Sequence, residues 1–429
     1  MKKSSSITSF LVLVLCIFGR SVSAAPIELS LDESIALAMR NNSNILIAKS
    51  DREKTLWAVK QAEANKGFTL SYTHTDERYD TPPSSSNGDR YTFTTKYDNN
   101  LSANLPVYSG EKLESQIDQA KLNLRISDLN LEATKQQLRQ TVTTDYFNVL
   151  QYRNSLQISQ ETVDNYSSHL KNVQAQYEVG TVAKSDVLSS EVSLANAQDS
   201  LIKAENNYQL AGATLNNAIG MPLSSDLRLK EDLRYEKYPL TLEYCSDYAL
   251  VNRPEMAQYQ AKIASSQDDL KIAQSGYLPS ANLSATQDWY DMEFPGSKNS
   301  NWSVGLTISL NVFDSGLTKS KVQQAKSGIV TTQELARQQR DSILLEVRQY
   351  FLGMREAEKR IETSKVAVNQ AEENLKIAEA RYSAGVGTNL DVLDAVLSLN
   401  TAKTNFVQAL YDYNTNKAQL DRSMGVAAK

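Results

Sequence analysis

Apolar side chains recur every seven residues in two long polar segments of the chain, 186–219 and 390–424. The first segment has two such rows, at Leu194, Leu201, Tyr208 and Leu215 and at Ala197, Ala204, Ala211 and Ala218. One row of large and one of small residues is typical of helices that pack closely as coiled coils. The positions between the rows carry Gln, Asn, Ser and Thr, not the Glu/Lys pairs of a simple dimeric rod. The pattern predicts long packed helices that keep a polar face towards water.

The same pattern occurs twice along the chain. Tyr177-x-x-Gly180, followed by Asp186, recurs 205 positions later as Tyr382-x-x-Gly385, followed by Asp391. A period of this length indicates a duplicated domain and not a solenoid repeat. The predicted division is a signal peptide at 1–24, repeat 1 at 25–220, a linker at 221–240 and repeat 2 at 241–429.

Each repeat is predicted to hold two short helices, two β segments, a very long helix and a last helix, in that order. Residues 111–178 contain no proline or glycine, and a helix of that length extends roughly 100 Å. The predicted bounds are 31–41, 44–66, 68–76, 91–107, 111–178 and 186–219 in repeat 1, and 242–252, 255–275, 281–289, 301–313, 317–382 and 390–424 in repeat 2.

The β segments alternate between apolar and polar residues. The clearest case is 302–312, in which every second residue is apolar: Trp302, Val304, Leu306, Ile308, Leu310 and Val312. About ten residues with one apolar and one polar face suit a strand of a membrane barrel that has a wet lumen. Four strands cannot close a barrel, and open strand edges cannot face lipid. The sequence therefore predicts an oligomer, with three chains supplying twelve strands.

The N-terminus has the pattern of an export signal. Lys2 and Lys3 precede an apolar run at 10–18 that is too short to cross a bilayer, and small residues ending at Ala24 form a cleavage site. Lipidation of Cys16 is the alternative, although Cys16 lies inside the apolar run and not at its end. After cleavage Cys245 remains alone, so no disulfide within the mature chain is expected.

Composition narrows the classes of function. The formal net charge is −5 and basic runs are absent, which argues against a nucleic acid partner. No Ser/His/Asp, Cys/His, zinc-spaced or Gly-rich phosphate motif occurs, so we expect no enzyme, no cofactor and no metal site. His74 and His169 are unpaired in the sequence and are expected to have no catalytic or metal-binding role.

The motifs around the second Tyr-x-x-Gly turn resemble the TolC-type outer-membrane efflux proteins. They are Tyr382-Ser-Ala-Gly385, Asp391-Val-Leu-Asp394-Ala395 and the helix from Leu399 to Gly425, with a degenerate copy from Tyr177 to Gly220. The resemblance covers nearly all of the mature chain. It implies a mainly α fold with a β-barrel part: a homotrimer whose twelve-stranded barrel lies in outer-membrane lipid and whose helices form a periplasmic tunnel. It also implies a periplasmic adaptor protein and an inner-membrane transporter as partners, in the export of drugs, metals or polypeptides.

The resemblance places Asp391 and Asp394 at the periplasmic end of the tunnel, facing its axis. Six carboxylates from three chains would ring the constriction and favour cations. The alternative is a purely local one, because acidic residues stabilise a helix N-terminus. The sequence leaves both interpretations open.

Other positions of the family pattern concern closure and docking. Tyr382 and Asp186 match residues that cross-link neighbouring hairpins in the closed state, and a packed tyrosine with a helix-capping aspartate is the alternative. The family's closing network can include an arginine where this chain has Gly387, so the closed state is expected to be wired differently here. Gly180 and Gly385 lie in the turns that the adaptor grips in this family.

Two other classes of protein share some of these features. A structural coiled-coil surface protein or adhesin would have heptads, but not two copies that each carry paired amphipathic strands. A periplasmic adaptor would have helical hairpins, but also Gly-rich β modules that this chain lacks. The sequence predicts an outer-membrane channel and does not identify its cargo.

Overall fold

The computed structural model describes residues 27–81 and 92–426. The predicted signal peptide, Cys16 and most of the predicted loop from Thr81 to Asp89 lie outside the described residues. The fold is mainly helical, with a four-stranded sheet at one end and a two-stranded sheet near the middle.

The elements follow one another in the same order in each half of the chain. The first half contains β1 (Ile27–Leu29), α1 (Leu31–Asn41), α2 (Ser43–Ala64), β2 (Thr69–Thr81), β3 (Thr92–Tyr108), α3 (Lys112–Glu178) and α4 (Lys184–Ile219). The second half contains β4 (Leu227–Leu229), α5 (Leu242–Asn252), α6 (Pro254–Gln274), β5 (Ser280–Asp291), β6 (Asn299–Ser309), α7 (Leu317–Ser383) and α8 (Asn389–Ser423).

The two long helices set the length of the molecule. Helices α3 and α7 have 67 residues each, which corresponds to roughly 100 Å. Each turns back at its far end into a hairpin partner, α4 or α8, and the predicted alanine row of α4 is buried at Ala197, Ala204 and Ala211. Among the described residues, no helix combines the length and the apolar character needed to cross a membrane.

The four-stranded sheet is antiparallel, in the order β2-β3-β5-β6, and has two chemically different faces. Directly opposed residues of an antiparallel pair share a face. The cross-strand row Tyr72, Leu101 and Gln287 leads to Trp302 on one face, and the row next to it, Ser102 and Thr286 with Ser303, lies on the other. The first face is mostly apolar and exposed, with Leu70, Trp302, Val304 and Leu306 among its members. Strands β2 and β6 form the two edges of the described sheet.

Three features of the β structure differ from the sequence prediction. The strand predicted at 68–76 continues to Thr81, because the residues up to Thr81 still pair with β3. The strand predicted at 301–313 ends at Ser309 because Ser309 pairs with Ser280, the first residue of β5, so no partner strand continues alongside 310–313. The predicted linker at 221–240 contains β4, which pairs in parallel with β1. A strand of three residues is too short to produce an alternation that could be recognised.

We call β1 and residues 227–253 the belt. This part of the chain includes the short sheet and lies around the middle of the long helices. The hydroxyl of Tyr146 in α3 donates to the carbonyl of Leu29 and to the carboxylate of Glu231, so β1 and the chain after β4 are both fixed to α3. The side chain of Tyr146 is fully buried. This belt therefore joins the first and second halves of the chain by direct hydrogen bonds.

Arg253 is the most deeply buried charge of this belt. Its side chain is 4% exposed, and its guanidinium forms ion pairs with Glu255 and Glu346 and donates to the carbonyl of Ser423 at 3.3 Å. Burial alone would raise the pKa of Glu255, but the hydrogen bond and the charge of Arg253 outweigh burial and leave the pKa below its ordinary value. Arg253 thus ties the start of α6 to α7 and to the end of α8.

We predict that Arg253→Met destabilises the protein by about 3 kcal/mol, because Glu255 would lose its buried partner and Glu346 would keep only Arg422. The measurement is the midpoint of denaturant unfolding in detergent. Lys203→Met is the control, since Lys203 pairs with Asp199 on an exposed surface and exposed pairs contribute little. Equal shifts in the two variants would contradict the assigned role of Arg253.

Candidate functional site

The candidate site lies at the ends of the hairpins, where α3 turns into α4 and α7 turns into α8. Gly180 and Gly385 adopt φ of +77° and +73°, which favours glycine. Each amide donates to the carbonyl of the tyrosine three residues earlier, Tyr177 at 2.9 Å and Tyr382 at 3.0 Å. A Cβ on either glycine would meet no heavy atom within 4 Å. The conformation of the turn, not packing, therefore requires these glycines, and both turns stay accessible.

Asp391 is part of a capping box at the start of α8. Its carboxylate accepts from the amide of Thr388 at 2.8 Å, and the hydroxyl of Thr388 accepts from the amide of Asp391 at 3.1 Å. The backbone hydrogen bond from Thr388, followed by that from its side chain, lowers the pKa of Asp391. The local interpretation of Asp391 therefore accounts for its bonds within the chain, and its side chain is also exposed at the hairpin end.

Asp394 lies one helical turn after Asp391 and is exposed as well. It has no part in the capping box. Burial raises the pKa of the neighbouring Tyr166, and the charge of Asp394 raises it further. In the first half of the chain the corresponding position is Ser189, so the pair of exposed acids occurs only at the second hairpin.

Tyr382 and Asp186, predicted to cross-link hairpins, are neighbours without a direct bond in the described chain. The hydroxyl of Tyr382 is buried and has no hydrogen-bond partner among the described residues. Burial raises the pKa of Tyr382, and the charge of Asp186 raises it further. A role of this pair in closing the assembly stays a prediction.

A contact between the two hairpins near their ends is centred on Asn389, the first residue of α8. Its amide oxygen accepts from Nε2 of His169 at 2.6 Å and from the hydroxyl of Ser190 at 3.1 Å. Its amide nitrogen donates to the backbone carbonyl of Asp186 at 3.1 Å. The ring of His169 also packs edge-on against Tyr382, with 5.0 Å between centroids. Residues from α3, α4, α7 and α8 thus meet in one buried junction, which we call the hairpin junction.

The surroundings of His169 favour its neutral form. Its side chain is 5% exposed, and burial lowers its pKa, an effect that the hydrogen bond with Asn389 and the charge of Glu379 offset only in part. Because an amide oxygen only accepts, the proton of the neutral ring lies on Nε2. The sequence prediction that His169 has no catalytic or metal-binding role did not anticipate this hydrogen-bonding role. The signal was the difference between the halves, since exposed Lys184 stands where repeat 2 has Asn389.

Gly387 lies in a tightly wound stretch between the turn and α8. Its amide donates to the carbonyl of Arg381 at 3.0 Å. A Cβ at this position would lie 3.0 Å from the amide nitrogen of Tyr382 and 3.1 Å from Cβ of Arg381. A side chain at 387 would therefore require this stretch to shift, so its conformation favours glycine.

The chemistry available at the hairpin ends is that of charge and packing. Across 27–81 and 92–426, no three His, Cys, Asp or Glu side chains cluster closely enough to hold a metal ion. The exposed carboxylates of Asp391 and Asp394 can attract cations, and the hairpin junction can hold the two hairpins in one relative position.

Comparison with known proteins gives a consistent result over most of the chain. The sequence model of the family described as "Outer membrane efflux protein" matches residues 34–221 and 246–426. Outer membrane protein TolC of Escherichia coli is 27% identical over 368 residues, which cover 79% of this chain and 73% of that protein. The alkaline protease secretion protein AprF of Pseudomonas aeruginosa is 24% identical, and the match covers 77% of this chain and 70% of that protein.

The fold also matches solved structures. The CmeC outer membrane channel of Campylobacter jejuni superposes with a TM-score of 0.82 at 15% identity, covering 92% of this chain and 85% of that one. At this level of identity the similarity concerns the fold.

We predict that acidification loosens the hairpin junction. The folded pKa of His169 lies below the ordinary value near 6.5, so a loosened state binds the proton more readily and gains population as the pH falls below that value. Spin labels at Ser185→Cys and Leu390→Cys in a Cys245→Ser background report the distance between the hairpins. Their distance distribution should broaden as the pH falls from 7.5 to 5.5.

The same measurement in two variants isolates His169. His169→Gln should remove the pH dependence, because glutamine can donate to Asn389 but does not titrate. His74→Gln, which changes the exposed histidine of the sheet, should retain it. A pH response that survives in His169→Gln would show that another group is responsible.

Proposed function

The chain belongs to the outer membrane efflux protein family, and from this we propose that it is the exit duct of an efflux or secretion system in the outer membrane. The observation that carries the proposal is the combination of a sheet with one apolar and one polar face and two 67-residue helices beyond its end. The sheet suits a wall between lipid and a wet lumen. The helices are long enough to continue that wall through an aqueous compartment. The resemblance drawn from the sequence is confirmed at the level of the family.

We propose that three chains form the duct. Strands β2 and β6 are edges of the described sheet, and unpaired strand edges do not occur in lipid. Three copies would pair these edges and give twelve strands, in a closed ring with three-fold symmetry. The apolar face, with exposed Leu70, Val304 and Leu306, would then meet lipid, and the Ser- and Thr-rich face would line the lumen.

We propose that the turns at Gly180 and Gly385 receive a periplasmic adaptor protein. Both turns are accessible and have the same backbone conformation. Three chains would present six such turns around the end of the tunnel, and an inner-membrane transporter would lie beyond the adaptor. The transporter would choose the cargo.

We propose that Asp391 and Asp394 form the gate, with Tyr382 and Asp186 helping to hold it closed. The hydrogen bonds with Thr388 lower the pKa of Asp391 and so favour its ionised form. Six carboxylates around the axis would attract cations and repel anions. The capping box and the ring are compatible roles, because capping fixes the position of the Asp391 side chain while leaving it exposed.

Members of this family are outer-membrane channels. We propose that this chain likewise catalyses no reaction and uses no cofactor. Its contribution to transport is then a passive one: a continuous wall, a closable end and a docking surface.

We predict that Asp391→Ala combined with Asp394→Ala raises single-channel conductance and lowers the preference for cations over anions several-fold, because the ring would lose all its carboxylates. The measurement is conductance and reversal potential in planar bilayers under a salt gradient. Asp199→Ala plus Glu205→Ala is the control, since these exposed acids of α4 lie away from the hairpin end and should leave both quantities unchanged. Unaltered selectivity in the Asp391/Asp394 variant would refute the gate.

A further inference from the structure

The loop between β5 and β6 folds back onto the sheet. Asn99 of β3 donates through its amide nitrogen to the carbonyls of Pro295 and Gly296, at 2.8 and 3.2 Å. Within the loop, the amide of Gly296 donates to the carbonyl of Glu293 at 2.8 Å. We call residues 292–298 the strap, because this segment lies across strand β3 instead of extending beyond the ends of the strands.

The strap is seated closely on its strand. A Cβ on Gly296 would lie 2.5 Å from the carbonyl oxygen of Tyr97 and 2.6 Å from its Cβ, so only glycine fits without movement. The ring of Phe294 packs edge-on against Tyr97 and His74, with centroids 5.7 and 6.3 Å apart. Hydrogen bonds and ring contacts therefore fix the same position of the strap.

The register of the sheet shows which face the strap covers. Asn99 is directly opposite His74 on β2 and Trp289 on β5. Two residues further along β3, Leu101 is opposite Tyr72, so these side chains all project from the apolar face. The polar face projects from the alternate residues, among them Asn100. The strap therefore lies on the side of the sheet that is proposed to meet lipid.

The strap covers the point where the apolar face becomes polar. The amide oxygen of Asn99 accepts from the hydroxyl of Tyr72 at 2.6 Å and lies 2.8 Å from Nδ1 of His74. Together with the two strap carbonyls, these bonds satisfy polar groups that would be costly to expose to an apolar environment. Trp289 lies in the same cross-strand row, and aromatic side chains are enriched at the level of lipid headgroups.

Two apolar side chains of the strap are exposed, beside the exposed Glu293 and Lys298. Met292 is 68% exposed and Phe294 is 72% exposed, although both belong to a loop of otherwise polar and small residues. They continue the exposed apolar surface of Trp302 and Val304 on the same side of the sheet. A second copy of the chain is a less suitable partner, because copies would join through the strand edges in the plane of the sheet and the strap lies on its face.

We propose that the strap is a membrane contact: Met292 and Phe294 insert among the lipids of the outer leaflet at headgroup level, and the strap thereby leaves the mouth of the duct clear. This inference rests on the proposed function, since it requires the apolar face to meet lipid. It adds a role for a connecting loop that would otherwise be taken as exposed to water.

The test uses a fluorescent label whose emission is quenched by doxyl-labelled lipid. A nitrobenzoxadiazole group is attached to Phe294→Cys in the Cys245→Ser background, and the protein is reconstituted into phosphatidylcholine vesicles. Doxyl groups close to the headgroup should quench this label several-fold more than doxyl groups near the end of the acyl chain. Val304→Cys, on the apolar face, should be quenched by the deeper doxyl group, and Ser303→Cys, on the polar face, by neither.

The outcomes separate this inference from the proposed function. No quenching at 294, with normal quenching at 304, overturns the membrane contact and leaves the duct intact. No difference between 303 and 304 overturns the orientation of the sheet, and with it the duct. Adding Gly296→Ala should lift the strap and reduce the quenching at 294 several-fold without altering 304. Unchanged quenching at 294 would show that the close contact of Gly296 with Tyr97 does not hold the strap in place.

Discussion

Backbone amides and carbonyls in hydrocarbon find no water, and each unpaired group there costs several kcal/mol. In this chain the requirement falls on the outer edges of β2 and β6, which the chain itself leaves without a strand partner in its described part. Other copies can supply those partners, and a closed ring satisfies every edge at once. The same ring would bring the long helices α3 and α7 of each chain side by side, so the need to pair strands in the membrane also determines the wall of the tunnel.

The two halves of the chain have the same order of helices and strands, but they differ at the hairpin ends. Both carry a glycine turn of the same conformation. Only the second has a capping box, with Thr388 where the first half has Ala183, and only the second has a buried amide, Asn389, that reaches the other hairpin. Duplication alone would give equivalent hairpins. The differences concentrate polar bonding near the hairpin ends, while Lys403 with Glu161 and Gln151 with Gln408 join α8 to α3 further from the turns.

Periodicity predicted the parts of the fold that repeat a simple geometry. The long helices predicted at 111–178 and 317–382 occur as Lys112–Glu178 and Leu317–Ser383, because neither run contains proline, which would interrupt a helix. The two faces of the sheet followed from the pleat. The hairpin junction and the strap could not be predicted in this way. His169 meets Asn389 across 220 residues, and Asn99 meets Pro295 across 196, and neither pair belongs to a periodic pattern.

The claim on which the account depends is that copies of this chain close the sheet. Native mass spectrometry of the complex extracted from outer membranes tests it most directly, because it counts chains without assuming a shape. The account predicts one species that contains three chains and that persists while its strand edges stay paired. A stable single chain, or an open series of increasing size, would contradict it, since in either case strand edges would remain unpaired in lipid.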